Sequence, residues 1–218
     1  MRIRRKKGLD ERVAQADNII LIDKQKVNVL EAIKDKRYID TEKLFGNANP
    51  VDLEIGCGKG RFVTEMAKKH PERNYLAVDC IANIIIVAAD LAKQENLCNV
   101  KFLNTGAEYL PRYIKEHSIE NLYLNFSPPY PQSSYENRRL TNDRYLSVFK
   151  PLLTACGRIY QKTDDRGFFE YSMAKFDSHG FMVENVSDKV LDGEVQTEFE
   201  IKYKNMGVPI YKLIAKLK

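Results

Sequence analysis

Residues 53–62 read LEIGCGKGRF, three glycines in five positions directly behind an apolar run. Glycine permits a tight turn and a close approach of backbone to a ligand. The helix that follows such a turn begins with amides that have no partner inside the helix. This strand–turn–helix unit limits what the chain can fold into, and the rest of the sequence repeats its rhythm. Short apolar runs at 51–55, 75–78, 100–103, 122–126 and 158–162 alternate with helical patterns at 61–69, 81–94, 110–116 and 168–176. Alternation of this kind predicts a mainly parallel sheet covered by helices. Two final runs, 181–186 and 210–217, show no helical spacing between them and fit an antiparallel hairpin at one edge. A strand or packed arm at 18–22 (NIILI) is a further candidate. Thr141 is placed as a helix N-cap. Tyr145, Leu146, Phe149, Leu152 and Leu153 then recur at helical spacing, and Gly157 is placed to close that helix.

Composition excludes several classes. With 218 residues, 44% hydrophobic and 30% charged, the chain reads as one globular domain with a small arm. No apolar run approaches the ~20 residues that a bilayer requires, and the basic start lacks the apolar stretch of a secretory signal. Four scattered cysteines, at 57, 80, 98 and 156, and three histidines form no ligand spacing. The expectation is a reduced, cytoplasmic protein without metal and without membrane attachment. Arg2, Arg4, Arg5, Lys6 and Lys7 account for the whole net charge of +5. Such a run is a solvated tail, an arm drawn to phosphate, or both. Residues 1–48 are read as a basic, partly flexible N-terminal arm and 49–218 as the main domain.

In open α/β sheets, ligands bind at the carboxyl ends of the strands. The motifs here gather at such ends. Gly56, Gly58 and Gly60 follow the first main strand, with Glu54 inside it, and Asp79 ends the next strand. A carboxylate there can accept both hydroxyls of a ribose, so a nucleoside ligand is expected. The third-glycine position of the dinucleotide fingerprint is Arg61, so the loop departs from that pattern. E-x-G-x-G-x-G resembles motif I of the class I S-adenosylmethionine methyltransferases. Cys57, with no base beside it in sequence, reads as a small packing residue.

Beyond the loop, FGNANPVDLEIGCGKGRF, YLNFS, ENRRLT, KTDDRGFFEYS and TEFEIKYKNMGVPIYKL occur in order along most of the chain. Together they resemble the bacterial tRNA (guanine-N7-)-methyltransferases. The resemblance implies a Rossmann-like α/β fold with a mostly parallel seven-stranded sheet and helices on both faces. It also implies S-adenosyl-L-methionine as cofactor and a guanosine of the tRNA variable loop as acceptor. By the same resemblance Glu54, Gly56, Gly58, Gly60, Asp79, Asn104, Thr105, Gly106, Ser127 and Pro128 surround the cofactor. Tyr130, Asp164, Glu198 and Glu200 are the candidate catalytic residues. Gln132, Arg138, Arg139, Asp164 and the run Thr197, Glu198, Phe199, Glu200 are placed on the substrate. The partner is tRNA, and the chain is expected as a monomer or homodimer.

The fourth-strand loop departs from that family. Where S-D-P-W-P-K-K is usual, this chain has SPPYPQS, so Pro128 stands for the aspartate, Tyr130 for tryptophan and Gln132 for a lysine. Gly106 stands where an adenosine-contacting acid is usual, with Asn104 or Thr105 as substitutes. Guanine N7 offers an in-plane lone pair and carries no proton, so positioning supplies much of the acceleration and no general base is required. A nearby carboxylate stabilises the cationic product ring. Two other readings stand beside this one. SPPY also occurs in amino-methyltransferases acting on cytosine N4 or adenine N6, and loss of the acid and lysine would suit a catalytically impaired RNA-binding relative.

Overall fold

The computed structural model describes residues 8–20, 22, 28–187 and 195–218. The basic run at residues 2–7 lies outside them. The chain divides into two units, residues 1–114 and 115–218.

The first unit opens with α1 (Leu9–Gln15), β1 (Ile19–Ile20), α2 (Val29–Ala32) and α3 (Thr41–Phe45). There follow β2 (Val51–Ile55), α4 (Arg61–Lys69), β3 (Asn74–Val78), α5 (Ala82–Gln94), β4 (Val100–Leu103) and α6 (Leu110–Tyr113). Its strands lie in the order β1, β4, β3, β2, all parallel. Every residue of β2 and β3 is buried, as parallel strands covered on both faces must be. The two acids of VDLEI therefore enter the core. Asp52 is matched by a forked ion pair from Arg73, at 2.9 and 2.7 Å. The apolar α5 covers the strands with Ile85, Ile86, Ala88, Ala89 and Ala92. The short strand β1 joins β4 through the Phe102 amide, which donates to the Asn18 carbonyl at 2.8 Å. It raises the strand total among the described residues to eight, one above expectation.

The second unit holds β5 (Ile119–Asn125), α7 (Asp143–Phe149), β6 (Leu153–Thr163), α8 (Arg166–Ser178), β7 (Phe181–Ser187), α9 (Glu198–Asn205) and β8 (Tyr211–Leu217). β5 runs parallel to β6, β8 is antiparallel to β6, and β7 is antiparallel to β8. The antiparallel edge is as expected, but its connection contains α9. The signal for that helix was Thr197-x-x-Glu200, which forms a complete capping box.

Two further expectations fail around α7. Asn142 caps the helix through the Arg144 amide, while the Thr141 hydroxyl turns inward to Ser172 at 2.8 Å. The helix also stops at Phe149. Pro151 follows in a single tight turn, and proline cannot continue a helix interior. Leu153 already belongs to β6, which begins five residues before the expected strand. Gly157 therefore sits within that strand, where a Cβ would lie 2.9 Å from both the Leu153 Cβ and the Thr154 carbonyl.

Candidate active site

In the first unit the glycine loop hangs on the end of β3. The amides of Gly56 and Cys57 donate to the Val78 carbonyl at 2.8 and 3.0 Å. The Asp79 carboxylate accepts from the Gly58 amide at 3.1 Å and the Ile81 amide at 2.8 Å. Asn104, at the end of β4, donates its side-chain amide to the Asp79 carbonyl at 2.8 Å. The three strand ends are thus tied to one another around Asp79. Burial raises the Asp79 carboxyl above the usual aspartate value, and the amides of Ile81, Gly58 and Cys80 oppose that rise.

The loop glycines divide the work. Gly60 has φ 81°, and a Cβ on it would lie 2.6 Å from the Ala88 Cβ, so it lets α4 and α5 close on each other. Gly58 has φ 55° with no atom within 4 Å of an added Cβ. Open space above a backbone-only loop, next to a carboxylate short of solvent, fits a nucleoside with hydroxyl donors. The Cys57 thiol is pushed up by burial and then by Glu54 and Asp79, which agrees with a packing role and leaves it a poor nucleophile.

Glu108 was missed in the sequence. A Cβ on Gly106 would lie 2.6 Å from the Glu108 Oε2, so this carboxylate folds back over Gly106. It lies close enough to β3 to join burial and Asp79 in raising the Cys80 thiol. An acid two residues past Gly106 was the available signal. Thr105 is buried, its amide donating to the Leu103 carbonyl at 3.1 Å.

In the second unit β5 ends at Asn125, and Phe126, with φ 51°, turns the chain. Its amide donates to the Lys162 carbonyl at 2.8 Å. Ser127 follows with its hydroxyl buried and without a hydrogen-bond partner among the described residues. Tyr130 is held at φ 42°, a strained conformation for an aromatic residue. The restraint comes from Arg139. Its guanidinium donates to the carbonyls of Pro129 at 2.9 Å and Tyr130 at 3.0 Å, and covers the Tyr171 ring at 4.4 Å. Arg139 was placed on the substrate; its Nε and Nη2 donors are instead given to the carbonyls of the SPPY loop. Arg138 stays exposed, 4.5 Å over the Tyr135 ring, and Tyr135 meets Tyr130 edge-on at 6.4 Å. Gln132 and Pro128 are exposed.

These two arginines are distinguished by salt. Arg138→Ala is expected to reduce the slope of log affinity for tRNA against log salt by about one phosphate contact. Arg139→Ala is expected to leave that slope unaltered and to lower methylation about tenfold, through the loss of its loop hydrogen bonds. Filter binding across a salt series with parallel turnover assays checks both.

The three acids expected on the substrate are not equivalent. Asp164 is half-buried, and the Tyr203 phenol is raised by burial and then by the Asp164 charge. Glu198 is exposed at the start of α9. Glu200 is wholly buried, its carboxylate held by Lys162, Lys212 and the Thr197 amide. Phe199, 50% exposed, stacks on Phe126 at 5.7 Å, and Tyr203 packs against both rings. The sequence places all three acids on the substrate; of the three, Glu200 is the fully buried one.

A mostly parallel α/β fold with a glycine loop after β2, a carboxylate ending β3 and an antiparallel β7–β8 edge is that of a class I S-adenosylmethionine-dependent methyltransferase. Solved structures agree in fold. A 16S rRNA methyltransferase, KamB, matches with TM-score 0.63 at 16% identity, covering 84% of this chain and 95% of that one. A 30S ribosomal A1408 methyltransferase from an uncultured bacterium matches with TM-score 0.61 at 14% identity, covering 89% and 96%. A family model described as "Putative methyltransferase" matches residues 48–213. The tRNA (guanine-N(7)-)-methyltransferase of Streptococcus thermophilus is 36% identical over 224 residues, 100% of both chains. That of Streptococcus pneumoniae is 38% identical over 221 residues, 99% of both. The chain belongs to the tRNA (guanine-N7-)-methyltransferase family.

Proposed function

We infer that this protein transfers the methyl group of S-adenosylmethionine to N7 of a guanosine in the variable loop of tRNA. The observation that carries the reading is similarity at 36% identity over the whole length to a tRNA (guanine-N(7)-)-methyltransferase. The cofactor, when bound, supplies a methyl carbon on a cationic sulfur, and transfer leaves that sulfur neutral. Asp79 accepts the ribose hydroxyls, the backbone of Gly56–Gly60 gives the molecule room, and Glu54 is a further contact. Glu198 accepts the guanine N1–H and amino edge, while Tyr130 stacks on the base. Stacking of this kind contributes about 1–3 kcal/mol. N7 bonds the methyl carbon through its lone pair, so no proton moves. The positive charge that develops on the ring is stabilised by Asp164, itself oriented by Tyr203. Loss of an aspartate at 128 thereby weakens the site without removing its logic. The protein works as a monomer or homodimer in the cytoplasm, its basic arm on tRNA phosphates.

Glu108 takes the adenine side of the donor pocket, accepting from the exocyclic amine in place of the acid absent at 106. The wild-type chain is expected to prefer S-adenosylhomocysteine to its inosine analogue about tenfold or more, as a charged hydrogen bond gives. Glu108→Ala is expected to bring the two within about threefold of each other, since the charged hydrogen bond is then gone. Calorimetry with both ligands measures this; an unaltered preference excludes Glu108.

The raised Asp79 carboxyl gives binding a pH dependence. The protonated Asp79 carboxyl adds to folding stability: that contribution is complete below the ordinary aspartate range and is lost as pH rises through the raised value. Hydroxyl donors favour the carboxylate, so cofactor affinity is expected to fall as pH drops through that raised value. Titrations at stepped acidic pH, with Asp79→Asn as the flat control, test the sign.

The function itself is tested by incubating unmodified tRNA with labelled S-adenosylmethionine and identifying the methylated nucleoside. N7-methylguanosine is the expected product. N4-methylcytidine or N6-methyladenosine would overturn the reading in favour of amino-group methylation, and cofactor binding without transfer would favour an impaired relative.

A further inference from the structure

Lys162 and Lys212 face each other in register on neighbouring strands β6 and β8. Two like charges in such a pair repel, and both ammonium groups converge on the Glu200 carboxylate. Lys162 donates to its two oxygens at 3.2 and 3.1 Å, and Lys212 lies 3.5 Å away. Glu200 is completely buried and Lys162 is 6% exposed. Removing water from three charges is unfavourable, and an apolar cluster would often serve stability as well. The arrangement has another consequence. The same Glu200 carboxylate accepts the Thr197 amide at 2.9 Å, and the Thr197 hydroxyl accepts the Glu200 amide at 3.0 Å, which fixes the first turn of α9. Lys162 also donates to the Val195 carbonyl at 3.3 Å, just ahead of that turn.

The main chain of Lys162 holds a second element. Its carbonyl accepts the Phe126 amide at the mouth of the SPPY loop. Phe199 and Tyr203, carried on α9, lie against the Phe126 ring. One residue therefore ties down both the end of β5, through its backbone, and α9, through its side chain. The two elements meet in a three-ring platform with a half-exposed aromatic at its rim.

We propose that Lys162 is a positioning residue, which, with Glu200 as its counter-ion, locks the Phe126–Phe199–Tyr203 platform on which the tRNA base rests. Glu200 acts through this latch and does not touch guanine. The proposal rests on the tRNA-methylating reading for its substrate, while the latch itself is a property of the folded chain alone.

The test uses the full chain as Lys162→Met, Glu200→Gln and the double substitution. Hydrogen exchange read by mass spectrometry is expected to accelerate in Lys162→Met at residues 197–205, with residues 51–79 unaltered. The KM for tRNA is expected to rise about tenfold or more, since a buried carboxylate has lost the nearer of its two ammonium partners. The affinity for S-adenosylhomocysteine should stay within about twofold, because the Asp79 loop lies in the other folding unit. The double variant should be no worse than Glu200→Gln, because removing Lys162 relieves the repulsion from Lys212. Unaltered exchange at 197–205, or acceleration spread evenly over the chain, would overturn the latch. Losses that add in the double variant would return Glu200 to direct contact with the base. Exchange is read without substrate, so it decides the latch even if the wild-type chain transferred no methyl to tRNA. That last outcome would instead count against the function proposed above.

Discussion

Asp79→Ala should weaken S-adenosylhomocysteine binding on the order of a hundredfold, from the loss of about 3 kcal/mol of charge-assisted hydrogen bonding. Two effects combine at this residue. Its carboxylate is the acceptor at the end of β3, and it also holds the glycine loop through the amides of Gly58 and Ile81. Asp79→Asn retains one oxygen acceptor and the shape of the side chain, so its loss should be smaller. Calorimetry on the three proteins ranks them wild type, Asn, Ala. Affinity for the Ala variant within threefold of wild type would leave the donor site elsewhere in the molecule.

The second large effect is Gly60→Ala, expected to lower stability by about 3 kcal/mol and the melting temperature by roughly 10 °C. A methyl group there meets Ala88 on α5, in a backbone conformation that L-residues avoid. Gly58→Ala carries only the conformational term, about 1 kcal/mol, because the space beside it is open. Its damage should appear in cofactor affinity, where the added methyl enters the room left for the ligand. Thermal unfolding alongside calorimetry separates the two glycines. Equal melting temperatures for the two variants would contradict the close approach of α4 to α5.

The glycine loop and its neighbours were legible because they are local. Glu54, the three glycines and Asp79 fall within two strand–turn–helix units, and spacing alone puts them at strand ends. Glu108 escaped notice because a side chain folding back over Gly106 leaves no mark beyond an acid two residues on. The candidate residues of the second unit were legible as types, less so as neighbours in space. Arg138 and Arg139 are adjacent and chemically identical, yet one is exposed and the other is committed to the carbonyls of Pro129 and Tyr130. Glu198 and Glu200 sit on opposite sides of one helix, and only burial tells which of them can meet a ligand.

The amino-acid sequence by itself determined the alternation of strands and helices, the backbone-only turn, the carboxylate that ends β3 and, through motifs spread over most of the chain, the family. These follow from nearest neighbours and from the periods of strand and helix. The tertiary structure alone decided the extent of β6, the direction in which Thr141 points and the division of labour among the charged residues. It also brought Lys162 and Lys212 onto a single carboxylate. Those outcomes depend on which strands become neighbours and on where water is excluded, and neither is written in the spacing along one chain.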